Sequence, residues 1–157
     1  MLKTEELKDI LGHIPLFKGC ADQTLKDIAV YAREIDFEKG QIIYEPGEVA
    51  ANIYVLVDGV VTFINKSVQG LLNDQRVMER SMIFGWVALV PEHPHRLGRA
   101  QCQENSKILA INGDLLMGIL EKDTESGFLV MKRLSSLIAD TFVVAPRQEI
   151  ARDGARR

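Results

Sequence analysis

The sequence predicts a mainly β fold of the barrel or jelly-roll kind with helices at its two ends. Three observations predict it. Between Glu34 and Ile111 the chain is a succession of short segments rich in Val, Ile, Phe and Tyr, the composition of half-buried strands. Glycine-bearing turns break these segments at near-regular spacing, which suits antiparallel closure better than a parallel sheet. On either side of this region apolar residues recur at three and four, the helical period.

In residues 3–11, Leu7, Ile10 and Leu11 share one face with Lys and Glu between them, and Pro15 ends the element. Residues 22–32 form a second helix, with Asp22 placed to cap it and Leu25, Ile28 and Ala29 on one face. Ile42 to Tyr44 is a strand that runs into the turn Glu45-Pro46-Gly47-Glu48. Asn52 to Val57 is a strand, Asp58-Gly59 is expected as a hairpin turn, and Val60 to Ile64 as its return strand. Lys66 to Asn73 reads as a loop around Gly70, and Gln75–Arg80 and Lys107–Ile111 read as further strands. Asn112-Gly113-Asp114 opens a helix through Leu115, Leu116, Ile119 and Leu120. Asp123-Thr124 opens a longer one striped by Val130, Met131, Leu134, Leu137, Ile138, Thr141 and Phe142, which Pro146 is expected to stop or kink. The remainder, 146–157, is expected to be a charged, disordered tail behind a single domain over 1–145.

Composition excludes several function classes. The chain has 157 residues, 46% apolar and 26% charged, which is globular composition in the size range of one domain. Lys and Arg number 19 against 22 Asp and Glu, a net charge of −3, unsuited to nucleic-acid binding by bulk charge. Cys20 and Cys102 are too few for a disulfide framework or a four-thiolate metal site. The opening MLKTEELKDILGH is no signal peptide, and the apolar run Ile83–Val90 is far shorter than the roughly 20 residues of a membrane span. A cytoplasmic location without membrane contact is the expectation. No phosphate loop, HExxH or recognisable catalytic set is visible, so an enzyme is not expected.

Phe37-Glu38-Lys39-Gly40-Gln41-Ile42-Ile43-Tyr44-Glu45-Pro46-Gly47-Glu48, followed by Ile53-Tyr54-Val55-Leu56-Val57-Asp58-Gly59-Val60-Val61, strongly resembles the cyclic nucleotide-binding domain family. That family is the ligand-sensing half of catabolite activator proteins and of kinase regulatory subunits. Gly40, Gly47 and Gly59 sit where its jelly roll turns tightly. The resemblance covers roughly residues 12–145 and implies an eight-stranded double-stranded β-helix, with N-terminal helices and a long C-terminal helix. It also implies a regulatory, signal-transducing role through a small anionic ligand, cyclic AMP or cyclic GMP in the family.

The family's phosphate-binding cassette is a strand ending in Phe-Gly-Glu, a short helix, and an arginine that arrives after a loop. Helix-start amides favour an anion, and a guanidinium supplies a planar charged fork for its oxygens. Here Phe84-Gly85-Trp86-Val87-Ala88-Leu89 occupies that position. Arg96 matches the arginine by spacing, with Arg99 as the second candidate. The carried-over ligand residues are Gly85, Trp86, Val87, Ala88, Arg96, Leu97, Gly98 and Arg99.

The chain departs from the family in four places. Trp86 replaces the ribose-binding glutamate and cannot accept a hydrogen bond. Leu97 replaces a Ser or Thr donor, and Gly98 a small Ala. Thr141 stands where the catabolite activator has the arginine that pairs with the missing glutamate. These departures predict weakened or altered ligand specificity. They leave open a second reading, an interaction scaffold whose pocket the indole fills.

The resemblance further implies a homodimer through the long helix, with Leu134, Leu137, Ile138 and Thr141 on the lid or dimer face. Only about a dozen residues follow that helix, too few for the family's DNA-binding winged helix, so direct DNA binding is not expected and a helix shift would act on the dimer or on a separate effector. Some relatives of the fold hold haem through His or Cys, which raises His93, His95 and Cys102 as a distant alternative. The bland reading of the two histidines is a surface loop, and no metal site is assigned.

Overall fold

The computed structural model describes residues 1–66 and 73–154, with side chains over 1–65 and 76–140. Helix α1 (Thr4–His13) buries Leu7 and Leu11, and α2 (Asp22–Tyr31) buries Leu25, Ile28 and Ala29, the stripes that the periodicity predicts. The first ends at Ile14, before Pro15. The expected cap at Asp22 is corrected. Ala21 takes the N-cap position without a side-chain cap, and Asp22 is the first helical residue. Two contacts made elsewhere in the chain account for the shift. The Ala21 amide donates to Ser126 Oγ at 3.0 Å, and the Asp22 carboxylate meets Lys8 Nζ at 3.0 Å.

Eight strands follow among the described residues: β1 (Arg33–Phe37), β2 (Ile42–Tyr44), β3 (Asn52–Asp58), β4 (Val61–Lys66), β5 (Asn73–Met78), β6 (Ile83–Phe84), β7 (Gly98–Cys102) and β8 (Ser106–Asn112). They form two antiparallel four-stranded sheets, ordered β1-β8-β3-β6 and β2-β7-β4-β5. This is the jelly roll expected.

The hairpin expected at Asp58-Gly59 is not one. β3 pairs with β6 and β8, whereas β4 pairs with β5 and β7, so the turn carries the chain from one sheet to the other. Local residues specify a sharp turn but not the strand on its far side. Gly59 has φ 101°, and a Cβ there would lie 2.7 Å from the Asn105 carbonyl oxygen, so the corner folds tightly over the start of β8. The loop expected around Gly70 lies outside the described residues.

Helix α3 (Gly113–Lys122) is capped as expected, with Asn112 Oδ1 accepting from the Leu115 amide at 3.0 Å. Helix α4 (Thr124–Gly154) follows at once. Asp123 accepts from the Ser126 amide at 3.3 Å and from the Thr24 hydroxyl at 2.6 Å, which joins the starts of α2 and α4. These bonds hold the Asp123 carboxyl below its ordinary value. The helix runs through Pro146, where a stop or kink is expected from sequence, and the 145/146 division falls inside it.

The apolar interior divides in two. One cluster joins α1–α4 to the face of the β1-β8-β3-β6 sheet that points away from the other sheet, around Phe17, Leu11, Ile28, Val55, Leu109, Ile111, Leu116 and Val130. The other lies between the sheets, around Tyr44, Tyr54, Leu56, Phe84, Ala100 and Ile108. No helix among the described residues is long and apolar enough to cross a membrane.

Candidate functional site

Gly85 ends β6 in a left-handed conformation, φ 73° and ψ 27°, and opens the one-turn 3-10 helix Trp86–Leu89. Glycine suits this position twice over. It accepts a positive φ at low cost, and a Cβ would lie 2.9 Å from both Arg96 Nη1 and Tyr54 Cδ2.

Arg96 precedes β7. Its backbone is pinned to the Pro46-Gly47 turn, because the Gly47 amide donates to the Arg96 carbonyl at 2.9 Å and the Arg96 amide to the Glu48 carbonyl at 2.8 Å. Its side chain points inward and is 5% exposed. Nη1 donates to the Gly85 carbonyl at 2.9 Å and Nη2 to the Asn52 carbonyl at 2.6 Å. The guanidinium carbon lies 4.2 Å from the ring centre of Tyr44 and 5.5 Å from that of Tyr54. Tyr54 in turn stacks on Phe84, with centroids 5.2 Å apart. Burial pushes the Tyr44 phenol up to about 12, against the opposing pull of the Arg96 charge.

Among the described residues no carboxylate lies within 4.0 Å of this guanidinium. Two carbonyl dipoles and aromatic π-faces attract the buried charge without neutralising it. A buried cation held this way leaves a positive potential unmatched by any neighbouring anion, the electrostatic condition for holding an anion.

The other carried-over residues divide sharply. Arg99 is exposed and its Nε meets Glu45 Oε2 at 3.0 Å, so of the two arginines only Arg96 lies inside. Leu97 is 52% exposed. Gly98 is buried where β7 crosses β4, and a Cβ there would lie 2.8 Å from Phe63 Cζ and closer still to the Ile64 carbonyl. Trp86 is half-buried and packs against the helical cluster, whereas the rings beside Arg96 belong to the inter-sheet cluster. The Val87 side chain is buried. The Ala88 amide already donates to the Gly85 carbonyl, at 3.2 Å.

On α4, Leu134 is buried in the helical cluster, and Leu137 and Ile138 pack partly against it. The Thr141 side chain lies outside the described ones. His93 and His95 are exposed on their loop, while Cys102 is buried and its thiol is pushed up by that burial. Among the described residues no group of three or more His, Cys, Asp or Glu gathers in a metal-holding arrangement.

Sequence reasoning misses Asn52, Tyr44 and Tyr54 as partners of the arginine. Tyr44 and Tyr54 appear only as strand residues, and their meeting depends on β2 and β3 lying in opposite sheets. No local pattern carries that information. Asn52 contributes only its carbonyl, which any residue type has.

Comparison with known proteins agrees with this geometry. The family model for the cyclic nucleotide-binding domain matches residues 34–123, more than half of the chain. The potassium channel SKOR of Arabidopsis thaliana is 26% identical over 121 residues, 77% of this chain and 14% of the channel. The chain thus spans only a small part of the curated channels it matches. Two solved structures share the fold. One is the sensor domain of the transcriptional regulator DNR from Pseudomonas aeruginosa, with TM-score 0.75 and 17% identity over 90% of this chain and 94% of that one. The other is the regulatory subunit of a cAMP-independent protein kinase A from Trypanosoma cruzi bound to guanosine, with TM-score 0.76 and 16% identity over 97% and 51%. On the match of that family model, with the jelly roll to which it corresponds, the chain belongs to the cyclic nucleotide-binding domain family.

Proposed function

We propose that this chain is a non-enzymatic sensory domain that takes a small anionic ligand at Arg96, within the unit formed by residues 1–145. The observation that carries the reading is a guanidinium 5% exposed with no carboxylate within 4.0 Å among the described residues. The ligand's anionic group exchanges with the Gly85 and Asn52 carbonyls as partner of the guanidinium. Cyclic nucleotides are the first ligands to test, since the family is named for them. Trp86 offers no acceptor for a ribose hydroxyl, which shifts specificity away from the ribose and toward the anionic group. The output passes through α4 to a second copy or a separate effector.

Isothermal titration of the chain with cyclic AMP, cyclic GMP and inorganic phosphate tests this. The expected result is saturable heat for at least one of them that disappears in Arg96→Met. Binding unchanged by that substitution overturns the role of Arg96, and absence of heat with all three overturns the reading.

One observation favours a second reading, an interaction scaffold with a closed pocket. Both nitrogens of the guanidinium fork already have carbonyl partners within the chain. On that reading no ligand binds, and Arg96→Met alters stability alone.

A further inference from the structure

A cleft between α1 and the turn joining β5 to β6 plays no part in the reading above. Its volume is about 240 Å³. The half-buried Ile10 and Val57 contribute apolar wall, and Asp9, His13, Arg80 and Ser81 contribute polar rim. Asp9 and Arg80, residues of opposite charge, line the same cleft. Yet among the described residues neither has an ion-pair partner within 4.0 Å, including the other. His13 Nδ1 donates to the Asp9 carbonyl at 2.7 Å, which leaves Nε2 as the ring nitrogen available to a ligand.

Ser81 adds a second kind of evidence. Its φ is 72°, and it is the one non-glycine residue with positive φ among the described residues. The strain is held in place by hydrogen bonds to β3. The Ser81 amide donates to the Leu56 carbonyl at 2.8 Å, and the Leu56 amide to the Met82 carbonyl at 3.0 Å. Such conformations persist only where the surrounding structure holds them, and they cluster at ligand clamps.

We propose that this cleft binds a small zwitterion with a short apolar side chain, the chemistry of a free α-amino acid. Its volume lies below the roughly 300–1,000 Å³ of sites for drug-sized ligands, which suits a small ligand. Two opposite charges that line one cleft without meeting are complementary to a ligand that carries both. The ammonium faces Asp9, the carboxylate faces the Arg80 fork, and the side chain lies on Ile10 and Val57. A simple anion would meet Asp9 as a repelling neighbour, and a simple cation would meet Arg80. This site is independent of the ligand at Arg96, although Leu56 shares β3 with Tyr54 and Ser81 leads into β6 and Gly85.

The test is a titration of the full chain, followed by NMR of the backbone amides, with L-leucine, with 4-methylpentanoate (the same skeleton without the amine) and with isopentylamine (without the carboxylate). Saturable shifts at His13 and Ser81 are expected with L-leucine. Affinity should fall at least about tenfold for each single-charge analogue, and by a similar factor in Arg80→Gln and in Asp9→Asn. Both residues are exposed, and an unchanged melting temperature verifies that the variants fold. No saturable shift by about 50 mM L-leucine overturns the proposal. So does equal affinity for either analogue, or binding indifferent to both substitutions.

Discussion

The two cores of this molecule are built on different terms. The helical core is apolar throughout: Phe17, Leu11, Ile28, Leu109 and Ile111 are fully buried, and its polar neighbours Thr24 and Ser126 find partners at the α2–α4 junction. The inter-sheet core is one-third aromatic and has a guanidinium set against it. A dry apolar cluster earns stability from area and close packing alone. A buried cation contributes little net stability, because desolvation offsets much of what its hydrogen bonds and ring contacts supply. The difference teaches where to look for function. One region is apolar packing alone, and the other sets a buried charge against aromatic rings.

Substitutions can break or sharpen that contrast. The largest effect is expected in the helical core, where Phe17→Ala should cost about 3–5 kcal/mol in urea unfolding. A loss below about 1 kcal/mol would mean that the helices do not share one packed core with the sheet.

Arg96→Met should cost less, about 1–3 kcal/mol, mainly from carbonyls of Gly85 and Asn52 left without their donor. A cost as large as that of Phe17→Ala would erase the proposed distinction. Ser126→Ala should follow at about 0.5–1.5 kcal/mol, since the Ala21 amide loses its acceptor in a partly buried junction.

Acid titration reaches the same junction. Asp123 is depressed in the folded chain by its bonds to Ser126 and Thr24. Its stabilising contribution is therefore complete above the ordinary aspartate value of 3.8 and is lost as pH falls through the lower folded value. Asp123→Asn should flatten that part of the acid limb, and an unchanged limb would show that the carboxyl is not the group responsible. The smallest effect belongs to Arg99→Ala. Its exposed pair with Glu45 should be worth about 0–1 kcal/mol and be screened by salt.

Much of the fold is legible in the sequence because it rests on local periodicity and on turn residues. The stripes of α1 and α2 and the Asn112 cap are of this kind. The failures share a cause. Asp58-Gly59 announces a turn, but whether the next strand pairs with the last or crosses to the other sheet depends on β7 and β5, far along the chain. Asp22 has the right side chain for a cap, yet Ser126, more than a hundred residues away, supplies the acceptor. At the site, spacing from Gly85 selects Arg96 ahead of Arg99. The aromatic rings around it come from two sheets, and the short stretch from Tyr44 to Tyr54 does not say that the two will face each other. Trp86 is legible as a departure, but its turn toward the helical core is a matter of packing.

The central claim is that the Arg96 guanidinium exchanges carbonyl partners for a ligand anion. A crystal structure of the chain grown with cyclic AMP tests it most directly. The account predicts phosphate density within hydrogen-bonding distance of Arg96 Nη1 or Nη2, with at least one of the bonds to Gly85 and Asn52 lengthened. An arginine still bonded to both carbonyls, with the nucleotide bound elsewhere or not at all, would contradict it.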